Sequence, residues 1–205
     1  AGITKDGSNY VSQWADQSGN NNHAVQATGS AQPLWVDNQL NGKPALYFDG
    51  TLKYLIASEL DLSQPIHIAI ILKKTLTDYA HNRYIVDGVS VNHMALYDCG
   101  DSVAMYAGAS GPSKAISDDV FILIESVFNG ANSNISVNGG VKATGNAGNI
   151  GSTGGIIIGA AYGYNYTNSL NGQISEIVMY DNVITDANRM FLGNYFNTKY
   201  NLWQP

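Results

Sequence analysis

Apolar residues in this chain alternate with period two, in short runs that recur from Tyr10 to Tyr180. In Pro65–Leu72 the alternation puts Ile66, Ile68, Ile70 and Leu72 on one face and His67, Ala69 and Ile71 on the other. Such a strand is buried on one side and largely buried on the second. Val120–Phe128 repeats the pattern, with Phe121, Leu123 and Glu125 opposite Ile122, Ile124 and Ser126. Shorter runs at Tyr10–Trp14, Ala45–Asp49, Tyr54–Ala57, Tyr84–Asp87, Met94–Asp98, Val103–Tyr106, Asn134–Val137, Gly155–Gly159 and Ile174–Tyr180 read as strands too. Between them stand Asn41-Gly42, Asp49-Gly50, Asp87-Gly88, Asn129-Gly130, Asn138-Gly139 and Asn171-Gly172. Asn-Gly and Asp-Gly supply the positive φ that tight hairpins require. Many short strands joined this way predict an all-β, antiparallel sandwich or barrel.

One segment departs from this period. Thr185 is a natural N-cap, Asp186 falls in the first turn, and Ala187, Phe191, Leu192, Tyr195 and Phe196 recur at helical spacing. A single C-terminal α-helix is therefore expected, bracing the sandwich with that stripe. Ala143–Gly155, rich in Gly, Asn, Ser and Thr, reads as a surface loop. No linker and no repeat interrupts the 205 residues, which suit a single domain spanning 1–205.

Charge and composition narrow the partners. Charged residues make up 13 %, against about 25 % in a typical soluble domain, so the polar surface falls to Asn, Ser, Thr, Gln and Gly. The chain holds 22 asparagines, 22 glycines and 13 tyrosines, a profile of a loop-rich protein working outside a cell or on a particle surface. With ten Lys+Arg and a net charge of −6, no basic patch is available to neutralise phosphates, and nucleic-acid binding is not expected. The longest apolar runs fall far short of a membrane span, so no membrane insertion is expected. No basic segment followed by an apolar one opens the sequence as in a signal peptide. The lone Cys99 excludes a disulfide framework and a thiolate zinc site.

Five phrases then stand in a telling order: Val11–Ala24, with Trp14-Ala-Asp-Gln-Ser-Gly19 at its centre; Asn41–Gly50; Ile135–Gly139; Leu170–Tyr180; and Tyr195–Tyr200. Together they resemble the laminin-G-like branch of the concanavalin A-like lectin/glucanase superfamily, in the form found in bacterial secreted and tailed-phage virion proteins. The resemblance implies a two-sheet antiparallel jelly-roll sandwich of roughly a dozen strands. Relatives carry another strand before the segment matching Ile3–Gly7, which implies that this chain is one module of a larger protein. Fold alone does not assign an activity.

The residues give little support for an enzyme. Retaining glucanases need two carboxylates roughly 5–5.5 Å apart, and the three glutamates, Glu59, Glu125 and Glu176, are scattered with no Glu-x-Asp-x-Glu spacing. Glu176 is better placed to orient a loop or terminus. A polysaccharide lyase would need Tyr or His for proton transfer and Arg against a uronate. His81, Arg83, Tyr84 and His93 supply the residue types, although the lyase motifs do not match. Neither a nucleophile elbow, a phosphate loop nor a His-Glu-x-x-His helix occurs.

Binding chemistry is better represented. The oxygen-rich segment Asp16–Asn22, with Asp16, Asn20 and Asn22, and Asp49 in the second phrase, are candidate ligands of a structural Ca2+ ion. Asx-turns within the same loop are the alternative. Sugar recognition needs aromatic faces beside amides and hydroxyls. Tyr162, Tyr164, Asn165 and Tyr166 concentrate these types in one glycine-flanked loop, and His93, Tyr97, Tyr106 and Trp35 join them as candidate ligand-binding residues. For Trp14 and Trp35, core packing is expected over ligand contact.

The reading that results is a non-catalytic, lectin-like carbohydrate-recognition module on an extracellular, cell-surface or virion protein. Its partner would be a cell-surface or environmental glycan, with other virion or surface-protein subunits as further partners. A structural or receptor-binding domain of a tailed-phage tail or capsid protein, with no glycan ligand, is the alternative, and a lyase the third.

Overall fold

The computed structural model describes residues 2–58, 60–75, 81–91, 93–163 and 168–203. In chain order the strands are β1 (Ile3–Lys5), β2 (Val11–Trp14), β3 (Ala24–Val25), β4 (Leu34–Leu40), β5 (Lys43–Asp49), β6 (Leu55–Ala57), β7 (Ile66–Lys74) and β8 (Arg83–Gly88). They continue as β9 (Ala95–Asp98), β10 (Ser102–Tyr106), β11 (Ser110–Ala115), β12 (Ile122–Phe128), β13 (Ser133–Val137), β14 (Ala143–Gly145), β15 (Ile156–Ile158) and β16 (Asn171–Tyr180), followed by helix α1 (Asp186–Tyr200). Two antiparallel sheets result, in the orders β1-β2-β3-β6-β15-β8-β9-β10-β11 and β14-β13-β12-β7-β16-β5-β4.

Between the sheets lies the main core. Ile66, Ile68, Ile70 and Leu72 of β7, with Ile122, Ile124 and Phe128 of β12, face Val86, Leu96, Val103, Met105, Ile156 and Ile158 of the nine-stranded sheet. Each such side chain, removed from water, contributes about 1.5–3 kcal/mol. Trp14 and Trp35 pack against the rim of this core, as expected.

The other face of β7 and β12 is buried as well, because α1 lies across it. Leu192, Phe196 and Tyr200 of the helix close on Ala69, Ile71 and Leu123. Thr185 caps the helix by accepting from Asn188 N–H at 3.2 Å. Asn201, in the left-handed region at φ 52°, ends it by donating its N–H to Asn197 O. The buried stripe is narrower than the sequence predicts. Phe191 is 70 % exposed and Tyr195 44 %, and Ala187 is exposed too. Residues 192, 196 and 200 form the contact line at i, i+4, i+8, and 187, 191 and 195 run beside it toward solvent.

Two β-bulges decide which side chains reach the outer faces. In β16 the register shifts between Ile174 and Glu176, so that Ile174 pairs with Leu72 on the core side while Glu176 pairs with Ile71 beneath the helix. Unbroken alternation would send Glu176 into the core with Ile174. In β8 the shift falls between Tyr84 and Val86. Ile85 and Val86 both enter the core, which leaves Tyr84 opposite Tyr97 and Asp87 opposite Ala95 on the outer face.

Ala143–Gly155, expected as a surface loop, opens with the three-residue edge strand β14 and continues as a connection to β15 that buries Ala147 and Ser152. Among the described residues no helix is long and apolar enough to cross a membrane.

Candidate functional site

The outer face of the nine-stranded sheet carries an aromatic cluster. Tyr97 of β9 and Tyr84 of β8 face each other across one ladder rung, their ring centroids 5.6 Å apart. Tyr106 ends β10 opposite Ala95 on that face. His93, from the β8–β9 connection, turns back into the middle of the group. Its ring centroid lies 6.5 Å from Tyr84, 5.7 Å from Tyr106 and 6.5 Å from Tyr162. Gly88 lets the connection fold so closely, since a Cβ there would sit 2.7 Å from Ser152 Oγ and 2.9 Å from His93 Cβ.

Asp87 anchors the cluster from below. Its side chain is fully buried. One carboxylate oxygen accepts from Gly88 N–H at 2.9 Å and contacts His93 Nδ1. The other accepts from Tyr162 N–H at 2.7 Å. One buried carboxylate therefore fixes two separate loops, the one carrying His93 and the one carrying Tyr162. Burial pushes the Asp87 carboxyl above its ordinary range, against the opposing pull of His93 and the two backbone N–H donors. Burial also raises the phenols of Tyr84 and Tyr97, which keeps both neutral at physiological pH. The surface that results is built of aromatic rings, and Tyr162 is 44 % exposed. It can stack on an apolar ligand face and present hydroxyls and an imidazole edge around it.

Of the sequence-predicted ligand residues, the structure brings Tyr162, His93, Tyr97 and Tyr106 together, and Trp35 packs against the core instead. Tyr164, Asn165 and Tyr166 lie outside the described residues. Tyr84 joins the cluster and Asp87 supports it. Neither was singled out as a binding residue, because the bulge in β8 that turns both outward leaves no mark in the alternation.

The proposed calcium ligands engage in hydrogen bonds of their own. Asp16 accepts from Ser18 N–H and Ser18 Oγ, both at 2.8 Å, and from Asn22 N–H at 3.1 Å. Burial alone would raise its carboxyl, but these hydrogen bonds hold it below the ordinary range. Asn20 N–H donates to Ser18 Oγ at 3.2 Å. Asp49, at the end of β5, accepts from Thr51 N–H at 2.9 Å and Thr51 Oγ1 at 2.5 Å. These contacts around Asp16 and Asp49 are Asx-turns, the alternative that the sequence offers for the same loop. Among the described residues no three His, Cys, Asp or Glu side chains cluster as metal ligands.

Two other groups from the sequence have structural work. Arg83 donates to Ser169 O at 3.2 Å and reaches Gly50 O at 3.5 Å, bracing two loops. Glu176 accepts from Tyr195 OH at 2.7 Å, Tyr200 OH at 2.8 Å and Lys199 Nζ at 2.9 Å, clamping the helix as its position in the sequence suggests.

No protein-family model matches the sequence, and no curated protein matches it. Solved structures do match in fold. The binding domain of Paraclostridial mosquitocidal protein 1 aligns with a TM-score of 0.63 at 13 % identity, over 94 % of this chain and 51 % of that one. Domain 4 of a GH43 extracellular arabinanase from Geobacillus stearothermophilus, solved with arabinotriose, aligns at 0.60 and 13 %, over 79 % of this chain and 81 % of that one. A heptameric SAP-like pentraxin from Limulus polyphemus aligns at 0.53 and 17 %, over 69 % and 77 %. The chain thus shares the two-sheet jelly-roll sandwich fold of these structures.

Proposed function

We propose that this domain is a non-catalytic carbohydrate-recognition module, and that the outer face of the nine-stranded sheet is its binding surface. The observation that carries the reading is the cluster of Tyr84, Tyr97, Tyr106 and Tyr162 around His93, held by the buried carboxylate of Asp87. A pyranose or furanose ring presents an apolar face to such rings and hydroxyls to the groups at their edges. The fold shared with an arabinanase domain solved with arabinotriose supports it. Contacts of this shallow kind bind weakly one at a time, so adhesion to a cell-surface or environmental glycan would draw on multivalent display. The natural setting is an extracellular, cell-surface or virion protein.

A second reading is a structural or receptor-binding domain of a tailed-phage tail or capsid protein, packed among virion subunits without a glycan. The exposed helix residues Met190 and Phe191, each 70 % exposed, favour it.

A glycan array probed with the multivalently displayed domain, in calcium and again in EDTA, tests the reading. Binding to a defined sugar class supports it. Loss of that binding in EDTA would support calcium at Asp16, Asn20, Asn22 and Asp49, with rearrangement of the Asp16 loop. Silence across the array would overturn the lectin reading and leave the subunit reading standing.

A further inference from the structure

At one end of the sandwich three connections enclose a cleft of about 580 Å³, lined by Ser63, Gln64, Asn129, Asn132, Asn149 and Gly151 among others. The connections come from both sheets. Ser63 and Gln64 precede β7, Asn129 and Asn132 join β12 to β13, and Asn149 and Gly151 lie between β14 and β15. Leu62 and Ser152 tie the first to the third by reciprocal backbone hydrogen bonds, both 2.8 Å.

Gln64 makes the cleft rigid. Its Nε2 donates to Gly148 O at 3.0 Å and Ile150 O at 2.8 Å, and its Oε1 accepts from Gly130 N–H at 2.7 Å. Ser133 Oγ completes the turn, accepting from Asn129 N–H at 3.0 Å and donating to Gly130 O at 2.8 Å. The Asn149 carboxamide rests against Gly130, where a Cβ would come within 2.3 Å of its Oδ1. By contrast, the side-chain amides of Asn129, Asn132 and Asn149 make no hydrogen bond to another described residue.

We propose that this cleft is a second saccharide site, taking a neutral, hydroxyl-rich residue. Its lining holds no charged side chain and no aromatic ring, which disfavours anions, cations and flat apolar ligands. Each free carboxamide offers two donors and an oxygen acceptor, matching vicinal hydroxyls that both give and accept hydrogen bonds. The three stand on a backbone frame already fixed by Gln64, so only their side-chain rotamers remain to be ordered on binding. The site stands apart from the aromatic face in its residues and its chemistry. The two share one end of the fold, since Ser152, next to Gly151, is also the neighbour of Gly88 beneath His93.

The test is a titration of the intact 205-residue chain followed by the side-chain NH2 resonances of Asn129, Asn132 and Asn149 in 15N–1H spectra. The probes are arabinotriose, maltotriose and cellotriose, each taken to tens of millimolar. At least one is expected to shift these resonances saturably, with a dissociation constant on the order of 1 mM. Asn132→Ser combined with Asn149→Ser, both at exposed positions, should weaken that binding about tenfold and leave the thermal midpoint unchanged. Tyr97→Ala, which removes an aromatic-face ring, should leave the cleft shifts intact. Carboxamide resonances that stay in place with all three sugars, or shifts that survive the double substitution, would overturn the proposal. Neither result would bear on the aromatic face, whose tyrosine resonances report separately.

Discussion

The two sheets bury their inner faces against each other and treat their outer faces in opposite ways. On the seven-stranded sheet the outer face is closed by α1, and the polar groups beneath it serve the closure. Glu125, 3 % exposed, pairs with Arg189 Nη2 at 3.2 Å, and that guanidinium also donates to Ser136 Oγ at 2.8 Å. His67, 1 % exposed, stands 3.9 Å from Glu125, with Tyr180 beside it. Among the described residues no helix covers the outer face of the nine-stranded sheet. There the buried carboxylate, Asp87, holds the two loops that carry His93 and Tyr162 beside the strand residues Tyr84, Tyr97 and Tyr106. Asp87 is tolerated because hydrogen bonds from Gly88 and Tyr162 replace its water. On the closed face, by contrast, only Glu125 Oε2 is met, by Arg189, and Glu125 Oε1 and both His67 ring nitrogens are buried without a hydrogen-bond partner among the described residues. On the closed face the Glu125–Arg189 pair ties the helix to the sheet, and on the open face Asp87 holds the loop that carries Tyr162.

Removing the helix's anchor should break the comparison most severely. Phe196→Ala deletes a fully buried ring from the closed face and is expected to cost about 3–5 kcal/mol in urea unfolding. Glycan binding by the molecules that remain folded should be unchanged.

The next effect is that of pH. Burial, helped by Arg189 and Lys142, lowers His67 to about 4, below the 6.5 of an ordinary histidine. Its folded-state value is depressed, so the unfolded chain binds the proton more readily. Stability from this group is complete above pH 6.5 and is lost as pH falls toward 4, by about 3 kcal/mol. Glu125, raised by its own burial, works in the opposite direction in the acid range. His67→Gln should therefore flatten the loss between pH 6.5 and 4 in thermal unfolding, and a wild-type slope retained in the variant would refute the assignment.

On the open face, Asp87→Asn replaces one acceptor oxygen with a donor and sets it against Tyr162 N–H or His93. A loss of about 1–3 kcal/mol in stability is expected, together with weaker glycan binding, since both loops lose their common anchor. Glu176→Gln, at the margin of the closed face, should cost about 1 kcal/mol and leave binding untouched. Tyr162→Ala is the smallest and sharpest of the set. At 44 % exposure it should change stability by no more than about 0.5 kcal/mol while weakening glycan binding about twofold to tenfold.

Much of this division was legible in the sequence, and the exceptions have physical causes. β7 and β12 are central strands whose two faces each show in the alternation, and both were readable with their facing residues. β1, β4, β11 and β14 are the four sheet edges, and none stands out as a strand in the sequence. An edge strand owes its form to one neighbour's ladder and carries polar residues, even Pro112 in β11. The aromatic site was partly legible: Tyr97, His93 and Tyr162 could be picked by type. Tyr84 stands out only as a lyase-type residue and Asp87 not at all, because a bulge inverts the parity that would place them on the same face as Tyr97. The amide cleft left no local signal either, since its residues come from three separate turns in a chain with 22 asparagines.

The central claim is that the open face binds saccharide and the closed face does not. It is tested most directly by a glycan array run with three proteins of matched thermal midpoint. These are the wild type, Tyr97→Ala combined with Tyr162→Ala, and Met190→Ala combined with Phe191→Ala on the helix. Wild type and helix variant should select the same glycans, and the open-face variant should lose at least about tenfold in signal. An array silent to the wild type, or one on which the open-face variant binds as well as the wild type, would contradict it.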